Sequence, residues 1–424
     1  MSVANLEVRV AGNPVATLSS RDGFEHYLTY HPGVPAEDFV CLLMPIRPQS
    51  WAWPNLHPFF QMNLPEGYLL SLLKEQLGPH LGARPLDLLA VVGPNMIGRV
   101  SLHAEAQPQR TATRDPDFKS LLASSDSLEM FHELMREHAS SGVSGVVPKF
   151  LSPELKNAFR KASWATDRYI VKGSSPHLPF LALNEHLCMR ASARTGAQVA
   201  CTQASDDGQV LLVERFDITP EGRRLGFEDL CSLLGLTSDD KYNSSWERVA
   251  KRVSEFVPSE HLLHSNEQLA RILLLTFALG NADCHTKNVG LLYSVESDVR
   301  VAPIYDMLSI RIYERYVANN PGMFVGGRKS WEPGKALEIY LRQALGLEPA
   351  QQRALIEQVC DALSDTLPEV LAHARNTPGF ADVGSRMVHE WNAGLKRLSK
   401  RSGITAPDFA EKARAADSPG RCGA

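Results

Sequence analysis

The segment 277–293 places the tightest constraint on how this chain folds. It reads F-A-L-G-N-A-D-C-H-T-K-N-V-G-L-L-Y, so an apolar stretch ends in Asp283, His285, Lys287 and Asn288 within six residues. Polar side chains that are buried without partners cost free energy, so this cluster is either a solvated loop or a working site. The segments on either side decide between the two interpretations.

Length and composition limit the class of protein. A chain of 424 residues exceeds what one hydrophobic core usually supports, so we expect at least two lobes. The net charge is −4 and like charges form no long run, which argues against direct binding of nucleic acid or a membrane surface. No apolar window approaches the length of a membrane span, and the start lacks a signal-peptide pattern. Seven scattered cysteines without a C-x-x-C pair indicate reduced thiols, so we expect a cytoplasmic protein.

The order of predicted elements is informative from residue 140 onward. Near the start, LEVRV and VATL flank a G-N-P turn and predict a hairpin, and the polar segment 104–120 predicts a linker. Beyond it come a glycine-bearing loop, a strand with Lys172, a helix with Glu185, a hairpin around Asp207 and a mainly helical half. This is the order of parts in a protein-kinase-like unit.

The predicted fold class is therefore α+β, with a kinase-like pair of lobes, and the family resemblance described below implies an extra small N-terminal α/β subdomain. The N-lobe is a mixed β structure and the C-lobe is mainly helical. The expected divisions are a subdomain over 1–110, an N-lobe over 111–225, a C-lobe over 226–410 and a flexible tail over 411–424.

Asp283 and Asn288 have the D-x-x-x-x-N spacing of a kinase catalytic loop. In that chemistry the aspartate accepts or orients the proton of the substrate hydroxyl, and the asparagine offers a neutral oxygen to Mg²⁺. Two short predicted strands then lead to Asp306, a second carboxylate in the position of a metal-binding aspartate. The spacing alone is a weak signal, and the second aspartate strengthens it.

Two other interpretations of this loop remain open at the level of sequence. Asn281 and Asp283 are residue types that cap helices, so the loop could be purely structural. His285 could bind a metal together with Cys284 and Asp283, but no second His/Cys cluster with zinc spacing accompanies them.

Candidate nucleotide-binding residues lie upstream. Lys172 ends a predicted strand and Glu185 follows thirteen residues later on a helix, where a carboxylate can fix the lysine. The Gly142–Gly145 loop could present backbone N–H groups to phosphates. Each feature also has an ordinary explanation, namely a strand-end lysine, a solvated glutamate and a flexible linker.

Taken together, these motifs resemble the HipA-like family of bacterial toxin–antitoxin serine/threonine kinases over nearly the whole chain. The segments that carry the resemblance are HPFFQMNLPEG (57–67), SGVSGVVPKF (141–150), YIVK (169–172), LNEHLCMR (183–190), LVERFD (212–217), FEDLCSLLGLTSDDKY (227–242), GNADCHTKN (280–288) and APIYDMLS (302–309).

The resemblance implies roles for the residues of the catalytic loop. Asp283 would be the catalytic aspartate and His285 would lie near the γ-phosphate. Asn288 and Asp306 would hold Mg²⁺.

It also implies an ATP site. Lys172 would contact the ATP phosphates, Glu214 and Phe216 would form the hinge that holds adenine through backbone hydrogen bonds, and Asp217 would lie on the ribose side. Val143, Ser144 and Gly145 would belong to the phosphate-facing loop.

Kinases of this family inactivate themselves by phosphorylating a serine in that loop, so the resemblance makes Ser144 the candidate phosphosite and Ser141 a weaker one. A phosphate there adds about −1.5 to −2 charges beside the phosphates of ATP and would favour ejection of the loop. Relatives differ in which loop position is serine, and here Gly142 occupies the first of them.

The implied partners are a HipB-like DNA-binding antitoxin on a separate chain and a protein substrate such as an aminoacyl-tRNA synthetase. The alternative function is that of a pseudokinase-like protein that binds nucleotide and regulates a partner by holding it. A DNA-binding repressor acting alone is disfavoured by the acidic charge balance.

Overall fold

Three antiparallel sheets and a helical half form the part of the chain that the computed structural model describes, residues 3–21, 25–64, 84–104, 117–142, 162–166 and 168–409. Within those residues no helix has the length and apolar character that crossing a bilayer requires. The cysteines among them form no disulfide.

The N-terminal sheet has five strands in the order β4-β3-β2-β1-β5. Its strands are β1 Asn5–Val10, β2 Asn13–Arg21, β3 Glu25–Tyr30, β4 Trp51–Trp53 and β5 Val100–His103. The predicted opening hairpin is confirmed, with Ala11 and Gly12 both at positive φ in its two-residue turn. Alternate residues of β1 point inward and pack against the short helices α1 Pro58–Gln61 and α2 Pro85–Val92 in a separate core.

The second sheet has the strand order β6-β7-β9-β8. It is built from β6 Ala162–Ala165, β7 Tyr169–Gly173, β8 Thr202–Ala204 and β9 Val210–Glu214, with helices α3 Phe118–Ala123, α4 Ser127–Gly142 and α5 Leu181–Arg194 packed around it. The predicted strand with Lys172, the helix with Glu185 and the hairpin around Asp207 are all present.

Helix α4 includes the first residue of the predicted glycine loop. Ser141 and Gly142 are its last residues, so that loop does not begin until after Gly142. Leu128, Phe131 and Leu134 lie one helical turn apart and pack the first half of the helix on the second sheet. Val143, Ser144 and Gly145 lie outside the described residues, as do most of the predicted linker and the final tail.

The C-lobe is mainly helical and encloses the third sheet, which has the order β10-β11-β12. Its elements are β10 Gly226–Asp229, α6 Leu230–Leu233, α7 Trp246–Phe256, α8 Ser259–Leu279, β11 Gly290–Tyr293, β12 Arg300–Val301, α9 Lys335–Ile339, α10 Pro349–Asn376 and α11 Ala381–Ser402. The second half of α8 is buried all round, which explains the long apolar run before the polar cluster.

Close packing of α8 and α11 fixes where the catalytic loop starts. Gly280 ends α8 in the left-handed region at φ 67°, and a Cβ there would lie 2.6 Å from Glu390 of α11. On the other side of the contact, a Cβ on Gly394 would lie 2.1 Å from the carbonyl oxygen of Ala278. Two glycines therefore let two helices meet at van der Waals distance directly beside the loop.

Polar contacts tie the N-terminal sheet to both lobes. The guanidinium of Arg99 donates to the carbonyl oxygens of Ser294 and Phe39 at 2.7 and 2.9 Å. The N–H of Leu42 donates to Glu228 of β10 at 2.7 Å. Burial raises the pKa of Glu228 to about 7, although hydrogen bonds from Leu42 and the Tyr293 hydroxyl oppose the shift.

Candidate active site

The polar cluster after α8 forms a loop held by its own side chains. Asn281 accepts a hydrogen bond from the N–H of Asp283 at 3.1 Å, and its amide nitrogen contacts the sulfur of Met307 at 3.4 Å. Asn281 is buried, and its contacts give it a structural role within the loop. That explanation does not extend to Asp283, whose side chain faces a cavity.

Tyr242 fixes the orientation of Asp283. Its hydroxyl donates to Oδ1 of Asp283 at 2.5 Å, and its ring meets the ring of His285 edge-on at 4.9 Å. The N–H and hydroxyl of Thr286 donate to the carbonyl oxygen of Lys241 at 3.2 and 3.0 Å, so the segment before Tyr242 is attached to the loop as well. The carboxylate therefore has a defined rotamer before any substrate arrives.

Asp306 lies next to Asn288. The amide nitrogen of Asn288 donates to Oδ2 of Asp306 at 2.7 Å, and the amide oxygen accepts the N–H of His285 at 3.1 Å. Strands β11 and β12 bring the chain back past the loop, as the sequence predicted. Asp306 has φ 55°, a left-handed conformation that costs a non-glycine residue about 1 kcal/mol and turns its carboxylate toward the loop.

Lys172 links the N-lobe to this pair. Its ammonium group donates to Asp306 at 2.8 Å and to the buried carboxylate of Glu185 at 2.6 Å. Burial alone would lower the pKa of Lys172, but the charges of Asp306 and Glu185 outweigh it and raise that pKa. The lysine is thus held as a cation between two carboxylates.

The structure therefore brings Lys172, Glu185, Asn288 and Asp306 into one continuous chain of hydrogen bonds, with Asp283 and His285 on the same loop as Asn288. Four separate elements contribute, namely β7, α5, the loop after α8 and the segment after β12. We call these four connected side chains the lysine–carboxylate network.

The donor set suits a metal that arrives with phosphate groups. Among the described residues no three His, Cys, Asp or Glu side chains converge on a metal position. Asp306 and Asn288 nevertheless supply a carboxylate and an amide, and Mg²⁺ in phosphate-transfer sites is usually held by one or two such side chains together with phosphates and water.

Cys284 is buried, and burial raises the pKa of its thiol to about 12. In the part of the chain that the structure describes, it belongs to no group of three metal-binding side chains.

The predicted hinge residues are placed differently from one another. Glu214 ends β9 and forms an exposed pair with Arg168 at 3.4 Å, and Phe216 packs between Phe227 and Tyr305. Asp217 is buried and bonded to Arg215 at 2.6 Å and to the N–H of Gly98 at 2.7 Å. Its carboxylate joins the hinge to the N-terminal subdomain, and the ribose-side role of Asp217 stays a prediction.

Sequence reasoning missed Tyr242, Arg215 and Lys329. Lys329 reaches the vicinity of Asp283 from a segment with no local signal of function, and Tyr242 and Arg215 appeared only as single letters of matched segments. Only the packed structure reveals their contacts.

Comparison with known proteins bears on the whole chain. The sequence pattern of the HipA N-terminal domain matches residues 6–103, and that of the HipA-like C-terminal domain matches residues 141–367, more than half of the chain. The chain belongs to the HipA family. The resemblance inferred from the motifs is thereby confirmed.

Similar proteins include the inferred kinase Y4dM of Sinorhizobium fredii, which is 27% identical over 72% of this chain and 77% of its own length. A second protein of that organism, the inferred kinase Y4mE, is 26% identical over 64% of this chain and 68% of its own. HipA of Shewanella oneidensis, solved in a complex with HipB and operator DNA, superposes with a TM-score of 0.67 at 18% identity over 96% of this chain and 99% of that one. The last comparison confirms the predicted kinase-like fold class.

Proposed function

We propose that this chain is an ATP- and Mg²⁺-dependent serine/threonine protein kinase that acts as the toxin of a toxin–antitoxin pair. The lysine–carboxylate network beside Asp283 carries the proposal, because it joins a strand lysine, a helix glutamate and a loop asparagine to the second aspartate. A solvated loop would not need a buried glutamate to hold a lysine in place.

Each member of the network has a proposed part in binding. Lys172, fixed by Glu185, would contact the phosphates of ATP, with Val143, Ser144 and Gly145 covering them and the backbone at Glu214 and Phe216 holding adenine. Asn288 and Asp306 would hold Mg²⁺, which when bound neutralises charge on the phosphates. His285 would lie near the γ-phosphate.

Asp283 would act on the acceptor. The acceptor oxygen forms a bond to the γ-phosphorus, the bond from that phosphorus to the bridging oxygen of ADP breaks, and the hydroxyl proton passes to the carboxylate of Asp283. Tyr242 supports this step by holding Oδ1 of that carboxylate.

We propose the partner and the substrate by analogy with the family. HipA of Shewanella oneidensis was solved with HipB and operator DNA, which supports a HipB-like antitoxin as the partner of this chain in the cytoplasm. A translation-related protein such as an aminoacyl-tRNA synthetase is the proposed substrate, and Ser144 the proposed site of self-inactivation.

Mass spectrometry of the intact protein and of its peptides, before and after incubation with Mg-ATP, tests this function. We expect one added phosphate on Ser144 in the wild type and none in Asp283→Ala or Asp306→Asn. Asp361→Asn, which changes an exposed carboxylate on α10, is the matched control and should behave as the wild type. Transfer by Asp283→Ala at the wild-type rate would disprove the assignment, and ATP binding without any transfer would favour the pseudokinase alternative.

A further inference from the structure

A cavity of about 530 Å³ opens beside Asp283. Asp283 and Tyr242 line it, whereas Lys172, Asn288 and Asp306 are not among its lining residues. Asp283 therefore borders a space that the lysine–carboxylate network does not line. If the network side receives the nucleotide, the cavity is the space from which an acceptor hydroxyl reaches the same carboxylate.

The far wall of the cavity is attached to the catalytic loop. It is formed by the segment 318–322, and a Cβ on Gly322 would lie 2.2 Å from the carbonyl oxygen of Cys284. The indole N–H of Trp331 donates to the carbonyl oxygen of Asn319 at 2.8 Å, which holds the same segment from behind. The wall therefore keeps its distance from Asp283, as a binding site requires.

Lys329 gives the cavity its positive charge. Of the described residues that line the cavity, it is the only lysine or arginine. Its ammonium group donates to the carbonyl oxygen of Tyr242 at 2.9 Å and lies 4.8 Å from the centre of the Phe324 ring. No carboxylate of the described residues forms an ion pair with it.

The environment of Lys329 disfavours an isolated charge. The side chain is half-buried, and burial lowers its pKa with no acidic group to oppose the shift. An ammonium group in such a position gains from an anionic ligand that restores the lost hydration.

We propose that this cavity binds the acceptor segment of the protein substrate, with the serine or threonine hydroxyl at Asp283 and an acidic side chain of the same segment at Lys329. The proposal rests on the proposed kinase function and adds the chemical class of the acceptor. Lys329 is then a specificity-determining residue, and Tyr242 joins it to the base through its backbone carbonyl and its hydroxyl.

Peptides that carry one serine and a single Asp, Ala or Lys at each flanking position in turn provide the test. With the wild type and Mg-ATP, we expect kcat/KM for the best acidic peptide to exceed that of its alanine counterpart about tenfold. Lys329→Met should reduce this ratio to about one, and Lys329→Glu should reverse it in favour of the lysine peptide. Arg328→Met removes an exposed neighbouring cation outside the cavity and should keep the wild-type ratio.

Binding of the same peptides with serine replaced by alanine, measured by calorimetry, separates the two proposals. Tighter binding of the acidic peptide that is lost in Lys329→Met supports the cavity even if no phosphate is transferred, in which case only the kinase assignment fails. A wild type with no acidic preference in either assay, or a Lys329→Glu variant that keeps it, overturns the cavity proposal. Loss of folding cannot reverse a preference, so the charge-reversed variant excludes a merely structural role.

Discussion

Tyr242 and Asp283 are 41 residues apart in the chain, yet the hydroxyl of Tyr242 donates a hydrogen bond to the carboxylate of Asp283 at 2.5 Å. Asp283, Asn288 and Asp306 could be predicted because a fixed spacing and a following pair of strands bring them together. Tyr242 could not, because its contact depends on how the segment after α6 packs against the loop. Asp217 shows the same limit. The sequence around an aspartate that follows a hinge strand does not reveal whether its carboxylate faces ribose or, as here, Arg215.

Tyr242→Phe removes the hydrogen bond to Asp283 and leaves the ring against His285. Hydrogen bonds to charged groups contribute about 1.5–3 kcal/mol, so we expect kcat to fall at least about tenfold. The KM for ATP should stay within about twofold of the wild type, because the hydrogen bond that the substitution removes goes to Asp283, which is not a member of the lysine–carboxylate network. Steady-state kinetics with Tyr27→Phe as the control measure this, and an unchanged kcat would exclude the positioning role.

Asp217→Asn distinguishes the structural assignment from ribose binding. The substitution leaves the buried Arg215 without its charge partner, and breaking a buried ion pair costs about 3–5 kcal/mol. We expect a clear drop in the thermal midpoint and wild-type ATP affinity for the protein that remains folded. Glu214→Gln, at an exposed pair, is the control, and weaker ATP binding in Asp217→Asn without loss of stability would restore the ribose assignment.

At the scale of elements, two adjacent residues of helix α5 contact two different parts of the candidate site. Glu185 reaches Lys172, while the fully buried Asn184 accepts the N–H of Ser309 at 2.9 Å and donates to its carbonyl oxygen at 3.0 Å. The helix itself could be predicted from its apolar period. Its link to the segment after Asp306 could not, because a buried asparagine has no signature in a helical pattern.

Asn184→Ala should therefore lower the free energy of unfolding by about 2–4 kcal/mol, since it breaks both hydrogen bonds to the backbone of Ser309 in the core. Thermal and urea unfolding measure the change. Gln203→Ala, at an exposed position of β8, should differ little from the wild type. Equal stability of the two variants would show that α5 does not brace this segment.

At the scale of the whole molecule, buried polar groups as well as apolar contacts join the N-terminal subdomain to the kinase-like lobes. Arg99, Arg215, Asp217 and Glu228 all bond across this boundary. The length of the chain and the order of its predicted elements indicated separate units, but nothing in the sequence indicated these contacts, which pair residues more than 100 positions apart. Such joints depend on protonation as well as on packing.

Glu228 makes the joint sensitive to pH. Its pKa is about 7 in the folded protein against an ordinary value of 4.5, so the folded state binds the proton more tightly than the unfolded state. Stability contributed by this proton is present below pH 4.5 and is lost as the pH rises toward 7, with a slope of up to about 1.4 kcal/mol per pH unit.

Glu228→Gln should remove this loss, because an amide does not titrate in this pH range, and its oxygen can still accept from Leu42 and Tyr293. Glu314→Gln is the control for this variant. Between pH 4.5 and 7, we expect the free energy of unfolding to change less in Glu228→Gln than in the wild type and in the control. Equal pH slopes in all three proteins would rule out Glu228 as the titrating group.

The contact between α8 and α11 has a consequence for synthesis on the ribosome. Gly280 opens the catalytic loop against Glu390, and Arg311 bonds to both of them, through its N–H to the Gly280 carbonyl and through its guanidinium to Glu390. A nascent chain that has not yet produced α11 lacks this support for Asp283, even though every residue of the lysine–carboxylate network has already been translated. Packing of α11 against α8 is thus the step that completes the support of Asp283, and a chain that ended before α11 would lack these contacts.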